Sequence, residues 1–434
     1  MIYNSLFKIN NNFNIDNLVK ALAVLFICLI EFRVFYKASL SLADPIFVLL
    51  FSSIIVRIKI KNSSLLKYFE KLFFLFLGFA TIWVMSYLMP IFAYDDLKTF
   101  FYGNSVMIIG SLYLVAISLT FFYITIEFGW LFVLQTVFYS GLFNALLGIT
   151  GLLLFIVGID STLVNVTATS APYFEGFPRL TAFSLSPNGF AYSMFTSLIV
   201  SIPLYYSDLV SKRFVVVSSI IIFTALIFSM AKIILISILT YTVWYASSIF
   251  RSLKLYKLRK YILAIVLFSG LFLYVLVTHI MLVDKADERN CSFGDEIVIS
   301  KSDDFNFYLC PSLFVKLKIL YSQRGFDNLP WGAGILDSNS SFYRPHSSYL
   351  ERFALHGVIG ILSLFILGYT LSSALAKIRE SNLSFDNTYY VFYLFWLMNL
   401  YIAINSDILR YRELWLMIGL TLGIAVAHAN KKSS

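Results

Sequence analysis

The sequence predicts an all-α integral membrane protein, and three observations carry that prediction. Of the 434 residues, 59% are hydrophobic and 18% aromatic, while only 13% are charged. A soluble domain carries about 25% charged residues, so this chain has roughly half of what a water-facing surface needs. The mean hydropathy is +0.81. The apolar residues also fall into separate runs of spanning length, about 20 residues each. These figures exclude a soluble enzyme, a disordered tail and a nucleic-acid binder.

The runs lie near 18–36, 44–58, 70–90, 104–124, 130–158, 187–207, 214–229, 233–250, 261–283, 348–374, 388–405 and 412–429. That is about 12 helices by the length a bilayer requires. The stretch 214–250 can also be read as one long helix, though its length favours two. Met1 to Asn17 is polar and Asn-rich and is followed by no small-residue cleavage site, so the first helix reads as a retained anchor.

Loop charge orders these spans. The formal net charge is +9, and every clustered basic loop falls on the same side of the spans. They are Arg57, Lys59, Lys61, Lys67 and Lys71; Lys212 and Arg213; Arg251, Lys254, Lys257, Arg259 and Lys260; Lys377 and Arg379; and Lys431 and Lys432. Lys and Arg concentrate in cytoplasmic loops. The pattern therefore expects both termini in the cytoplasm, and it gives the basic pI an explanation that needs no nucleic acid.

The opposite connections differ in kind. Ala93 to Asn104 carries Asp95 and Asp96, and 159–186 holds Pro172, Phe177 and Pro178. The longest, 284–347, lies between the ninth and tenth helices. It is expected to be a structured, partly helical loop inserted in a single membrane domain covering 1–434. Pro311 suits a first helical position, and Leu313, Leu317 and Leu320 follow on one face. An amphipathic helix over the outer mouth of the bundle is expected there.

Cys28 lies within the first helix as a small hydrophobe. Cys291 and Cys310 share the long loop, where they either close a disulfide ring of about 20 residues or stand as two thiols. His279, His346, His356 and His428 show no metal-ligand spacing. No phosphate-binding loop, dinucleotide fingerprint or nucleophile elbow is present. No metal and no cofactor are expected.

Four cations stand beside rigid backbone on the outward segments. Arg179 lies in Pro178-Arg179-Leu180-Thr181, and Lys232 ends Ser229-Met230-Ala231-Lys232. Arg324 follows Tyr321-Ser322-Gln323, and Arg344 precedes Pro345-His346-Ser347. Each alone fits a snorkelling interface anchor. Together they form the kind of set that holds a lipid pyrophosphate and stabilises the charge it develops on leaving. His346 suits a base that accepts a proton from a sugar hydroxyl, or else an interfacial cap of the tenth helix. His356 reads as a packing or network residue. Asp407, Arg410 and Arg412 cluster in the last outward turn, as a local ion pair or as sugar contacts.

These residues resemble a family. His346-Ser347, nine residues, then Gly357-Val358-Ile359-Gly360 is similar to the pattern His-[Asn/Ser/Gln]-x9-Gly-x-x-Gly of the O-antigen ligase and O-antigen polymerase superfamily. Arg324 with Pro330-Trp331-Gly332-Ala333-Gly334 resembles that family's Arg and Pro-x-x-Gly-x-Gly element. Arg179-Leu180-Thr181 with Pro187-Asn188-Gly189-Phe190-Ala191 is similar to its Arg-Leu-x-Gly and Pro-Asn-x-x-Ala stretch. The likeness covers roughly 175–375, in the same order. It departs at Met230-Ala231-Lys232, where relatives often have Ser-Arg-Gly, and at Ala182, where they often have Gly. Lysine keeps the charge there but loses the guanidinium fork.

The resemblance implies a metal-independent glycosyltransferase of the bacterial inner membrane, with its site facing the periplasm. Its donor is a glycan on undecaprenyl pyrophosphate, with membrane lipid around it. A repeat-unit polymerase is the leading implication, a ligase that moves glycan onto lipid A-core the alternative. Arg179, Lys232, Arg324 and Arg344 would contact pyrophosphate, with Arg324 also serving catalysis. His346 would activate the acceptor. Gly357 and Gly360 would let the tenth helix pack against a neighbour. A chain-length regulator protein is a further partner so implied. A lipid or polysaccharide transporter is the reading from another class, but such proteins are built as repeated halves, and no half-repeat is visible.

Overall fold

The computed structural model describes residues 14–30, 41–61, 105–159, 163–165, 179–182, 186–207, 209–231, 233–252, 280–282, 297–301, 306–309, 348–380, 386–405 and 408–433, with a few isolated positions besides. The expected segments 70–90 and 261–279, Cys291, Cys310 and the expected helix after Pro311 lie outside them.

Ten α-helices are described. They are α1 (Ile15–Leu29), α2 (Ala43–Lys61), α3 (Ser105–Phe128), α4 (Trp130–Ile156), α5 (Pro187–Tyr206), α6 (Lys212–Phe228), α7 (Ile233–Ser252), α8 (Ser348–Glu380), α9 (Asp386–Asn405) and α10 (Arg412–Ser433). Each overlaps one of the apolar runs, most with ends within a few residues; α1 ends at Leu29, short of the expected 36, and α8 runs on to Glu380, past the expected 374. The stretch 214–250 is two helices: α6 ends at Phe228, and Met230 takes a φ of 51° in the turn before α7.

Among the described residues, three stretches are long and apolar enough to cross a membrane: Ile108–Phe128, Trp130–Ile156 and His356–Glu380. Their outward faces are apolar too. Phe365 and Tyr369 on α8 are 70% and 78% exposed, and α2 and α6 present Val48, Leu49, Val216, Val217 and Ile220 in the same way. An apolar belt of that kind faces lipid rather than water. The chain is a mostly helical membrane protein.

Two helices form the centre. In α5 every residue from Gly189 to Leu204 is buried, and in α10 the burial runs from Glu413 to Ala425. Small residues allow the close approaches. A Cβ at Gly419 would stand 2.2 Å from the carbonyl oxygen of Ser118, and one at Gly423 would stand 2.6 Å from Cβ of Thr125. Ser118 Oγ donates to the Trp415 carbonyl at 2.6 Å, completing the α3–α10 contact. Between α4 and α5, Gly141 makes room for Ser197, whose hydroxyl donates to the Val137 carbonyl at 3.2 Å.

Arg57 departs from its expected place among loop cations. It lies in the last turns of α2, 2% exposed, and is ion-paired to Asp16 and Glu127, both at 2.7 Å. Tyr123 is a further hydrogen-bond partner, and the Phe128 ring lies 4.9 Å from the guanidinium. A charge kept among helices needs such compensation.

Two small sheets interrupt the helical fold. Val164–Asn165 (β1) pairs antiparallel with Arg179–Leu180 (β2). Ile280–Leu282 (β3), Ile297–Lys301 (β4) and Asn306–Leu309 (β5) form a three-stranded antiparallel sheet in the order β3-β5-β4. The second begins inside the expected run 261–283, so the end of that run is strand rather than helix.

Candidate functional site

The site is built where helices begin and break at one end of the bundle. Ser186 caps α5 by accepting from the Gly189 amide at 3.4 Å, with Pro187 in the first turn. Just before it, β2 is held to β1 through Asn165 opposite Arg179. The amides of Thr181 and Ala182 both donate to the Leu163 carbonyl. Ala182 takes a φ of 45°, a left-handed conformation that glycine adopts most readily.

This turn aims Arg179 at the C-terminal end of α6. Its Nε donates to the Ser229 carbonyl at 3.1 Å and its Nη2 to the Met230 carbonyl at 3.3 Å. A cation there meets the negative end of the helix and satisfies its orphan carbonyls. Arg179 is 8% exposed. Burial pulls its guanidinium down from the ordinary arginine range, yet arginine stays a cation in proteins. Arg179 thus meets the turn that contains Lys232, through that turn's backbone. Lys232 itself lies outside the described residues, as do Arg324, Arg344, His346 and Asp407.

The described part of the His motif begins at Ser348, whose Oγ accepts from the Ile408 amide at 3.0 Å. Tyr349 donates from its hydroxyl to the Leu400 carbonyl at 3.0 Å. Tyr192, near the start of α5, donates to Asn399 Oδ1 at 2.6 Å. The starts of α5 and α8 and the end of α9 therefore share one end of the bundle.

Within α8 the helix breaks at Gly357, whose φ of 60° and ψ of −149° are open in practice to glycine alone. The first limb folds against the second. A Cβ at Gly360 would stand 2.5 Å from the Arg352 carbonyl oxygen and 2.6 Å from Cβ of His356. The sequence reading gives both glycines a part in packing against a neighbouring helix. The closest atoms to Gly360 belong instead to its own segment, and Gly357 turns the chain.

One helical turn apart on the first limb, Arg352 and His356 meet inside the bundle, Nη1 to Nε2 at 3.0 Å, with both residues buried. A guanidinium has only donors, so His356 Nε2 accepts and the ring's proton sits on Nδ1. His356 is the network residue its sequence suggested. Arg352 belongs to no motif in the sequence. A charge a few residues inside an apolar run was the available signal.

Arg412 is engaged across the bundle. Its Nη2 lies 2.9 Å from Asp44 Oδ1 at the start of α2, and its Nη1 donates to the Ile30 carbonyl at 3.1 Å. Tyr113 donates to the same Asp44 carboxylate at 2.8 Å. This is an inter-helix clasp, and neither Asp44 nor Tyr113 was anticipated as its partner. Arg410 stands on the 3-10 turn Ile408–Arg410, half-buried. Among the described residues no group of three or more His, Cys, Asp or Glu could hold a metal ion.

Compared with protein-family models, curated proteins and solved structures, the chain matches none of them. Geometry and sequence pattern therefore carry the functional reading.

Proposed function

We propose that this chain is a glycosyltransferase of the O-antigen polymerase and ligase kind, acting on an undecaprenyl-pyrophosphate-linked glycan. One observation carries the reading. The pattern calls for glycine at positions 182, 357 and 360, and each is a place where a Cβ is costly. Ala182 has a φ of 45°, Gly357 has a φ of 60°, and Gly360 has a carbonyl oxygen 2.5 Å from where its Cβ would be. Two of the three letters are matched here, and the third, Ala182, departs from the pattern but keeps the left-handed backbone that glycine would suit. The meeting of Arg179 with the Ser229–Ala231 turn supports the same alignment.

In this reading the chain crosses the inner membrane about 12 times, with both termini cytoplasmic and the site facing the periplasm. Arg179, Lys232, Arg324 and Arg344 hold the donor pyrophosphate and stabilise the charge that grows as the sugar–phosphate bond breaks. Since Arg179 already serves two carbonyls, its part is to fix the turn that presents Lys232 as much as to meet the donor. His346 takes the proton of the acceptor hydroxyl as that oxygen attacks the anomeric carbon. No protein–sugar bond forms. The acceptor is a second lipid-linked repeat unit, which makes the enzyme a polymerase.

The test is deletion of the gene in its host, complemented by the intact gene or by His346→Ala, with lipopolysaccharide resolved on a gel. A core bearing one repeat unit, restored to a ladder by the intact gene alone, is the expected result. A bare core with long lipid-linked chains would make the enzyme a ligase. Unchanged ladders, or full rescue by His346→Ala, would overturn the assignment. Reporter fusions at the two termini and at 284–347 test the orientation separately.

A further inference from the structure

The start of α8 is tied to the bundle by a bond whose far partner is itself well anchored. Ser348, 2% exposed, accepts at Oγ from the Ile408 amide at 3.0 Å. We propose that Ser348 is a positioning residue for the transfer step, acting through His346. The inference rests on the transferase reading above, in which His346 is the base.

The Ile408–Arg410 turn is a fixed point of the fold. Ile408 and Leu409 are buried, and the Tyr411 amide donates to the Ile408 carbonyl at 2.9 Å. Trp415 Nε1 donates to the Leu409 carbonyl at 2.8 Å, which fastens the turn to the central helix α10. The first amides of a helical turn have no partner within it. Ser348 Oγ supplies one for Ile408 from 60 residues away.

Two further ties hold the first limb of α8. Tyr349 reaches the Leu400 carbonyl on α9, and the Arg352 carbonyl packs against Gly360 beyond the break. Of the three, the Ser348 bond lies nearest to His346 in sequence. Two residues of extended chain span at most about 7 Å, so His346 is leashed that closely to a point fixed on the turn. The same turn follows Asp407 and carries Arg410, which the sequence offers as sugar contacts. One hydrogen bond thus sets the spacing between the base and that turn. A misplacement of about 1 Å can cost an enzyme about a hundredfold in rate. Losing the Ser348 hydroxyl therefore lowers kcat and leaves KM unchanged.

The test uses the full chain purified in detergent, with radiolabelled lipid-linked repeat units extracted from the gene-deleted host. Ser348→Ala should lower kcat by about tenfold to a hundredfold at constant KM. Ser348→Thr keeps a hydroxyl and should restore most of the rate. Ser348→Cys keeps the size but offers only a weak acceptor atom, and it serves if the alanine variant does not fold. The decisive comparison places Ser348→Ala in a His346→Ala background, where it should cause no further loss of the residual rate. An equal loss in both backgrounds, or a rise in KM alone, would make Ser348 merely structural and overturn the proposal. So would full activity of Ser348→Ala beside an inactive His346→Ala. Full activity of His346→Ala would instead overturn the transferase reading, and this inference with it.

Discussion

Arg412 and Asp44 stand 2.9 Å apart although α10 and α2 lie at opposite ends of the sequence. The carboxylate also accepts from Tyr113 and from the Ser41 amide, so it is held from α3 and from its own helix start. Removing one partner strands a half-buried charge, at a cost of about 3 kcal/mol. Arg412→Gln should lower the Tm of the detergent-purified protein clearly. The double variant with Asp44→Asn should recover part of the loss. A double variant no better than the sum of the singles would show that the two side chains do not couple.

Gly357 makes a strict demand on its backbone. Any L residue at its φ and ψ costs about 1–3 kcal/mol or straightens the break and displaces Ser348–His356. Gly357→Ala should insert normally, lower the Tm and remove activity. The measurement is complementation of the gene deletion together with protein level in the membrane. Full rescue at a normal level would contradict this.

Position 182 gives the reverse case, because the native residue already has a Cβ. Glycine relieves a left-handed penalty of about 1–2 kcal/mol but frees the unfolded chain by about 0.4–1 kcal/mol. Valine at φ 45° can only lose. Thermal midpoints should rank Ala182→Gly at or above the native protein, with Ala182→Val clearly below. A valine variant as stable as the native one would mean that this turn relaxes freely.

At Gly419 the obstacle is backbone, the Ser118 carbonyl oxygen 2.2 Å from an added Cβ. Overpacking costs about 1–3 kcal/mol. Gly419→Val should therefore open the α3–α10 contact, seen as faster proteolysis and a lower Tm. The same change at Gly368, which has nothing within 4 Å, should leave both unaltered.

The positions of the described helices were legible because apolar runs of spanning length end at Pro, Ser or a basic cluster, as at Pro187 and Lys212. Their partners were not. Arg57 with Glu127, and Arg412 with Asp44, join residues whose meeting depends on how helices pack, which no local period encodes. Of the site, Arg179, Gly357 and Gly360 could be picked out from the pattern, but the left-handed φ at Ala182 and the fold-back onto Arg352 could not. The three-stranded sheet was missed because β3 begins inside an apolar run that reads as helix.

Helix α10 is central, yet it is made after the helices that surround it. Ser118 and Trp415, joined by a hydrogen bond, are 297 residues apart. At about 5–20 residues per second, the ribosome takes roughly 15–60 s to travel between them. Throughout that interval the Ser118–Thr125 face of α3 has no α10 to pack against, and lipid or the insertion machinery must occupy it. Biogenesis is then a holding problem before it is a packing one. A nascent chain arrested before Arg412 leaves a vacancy at its centre, which is the feature a membrane quality-control protease is equipped to detect.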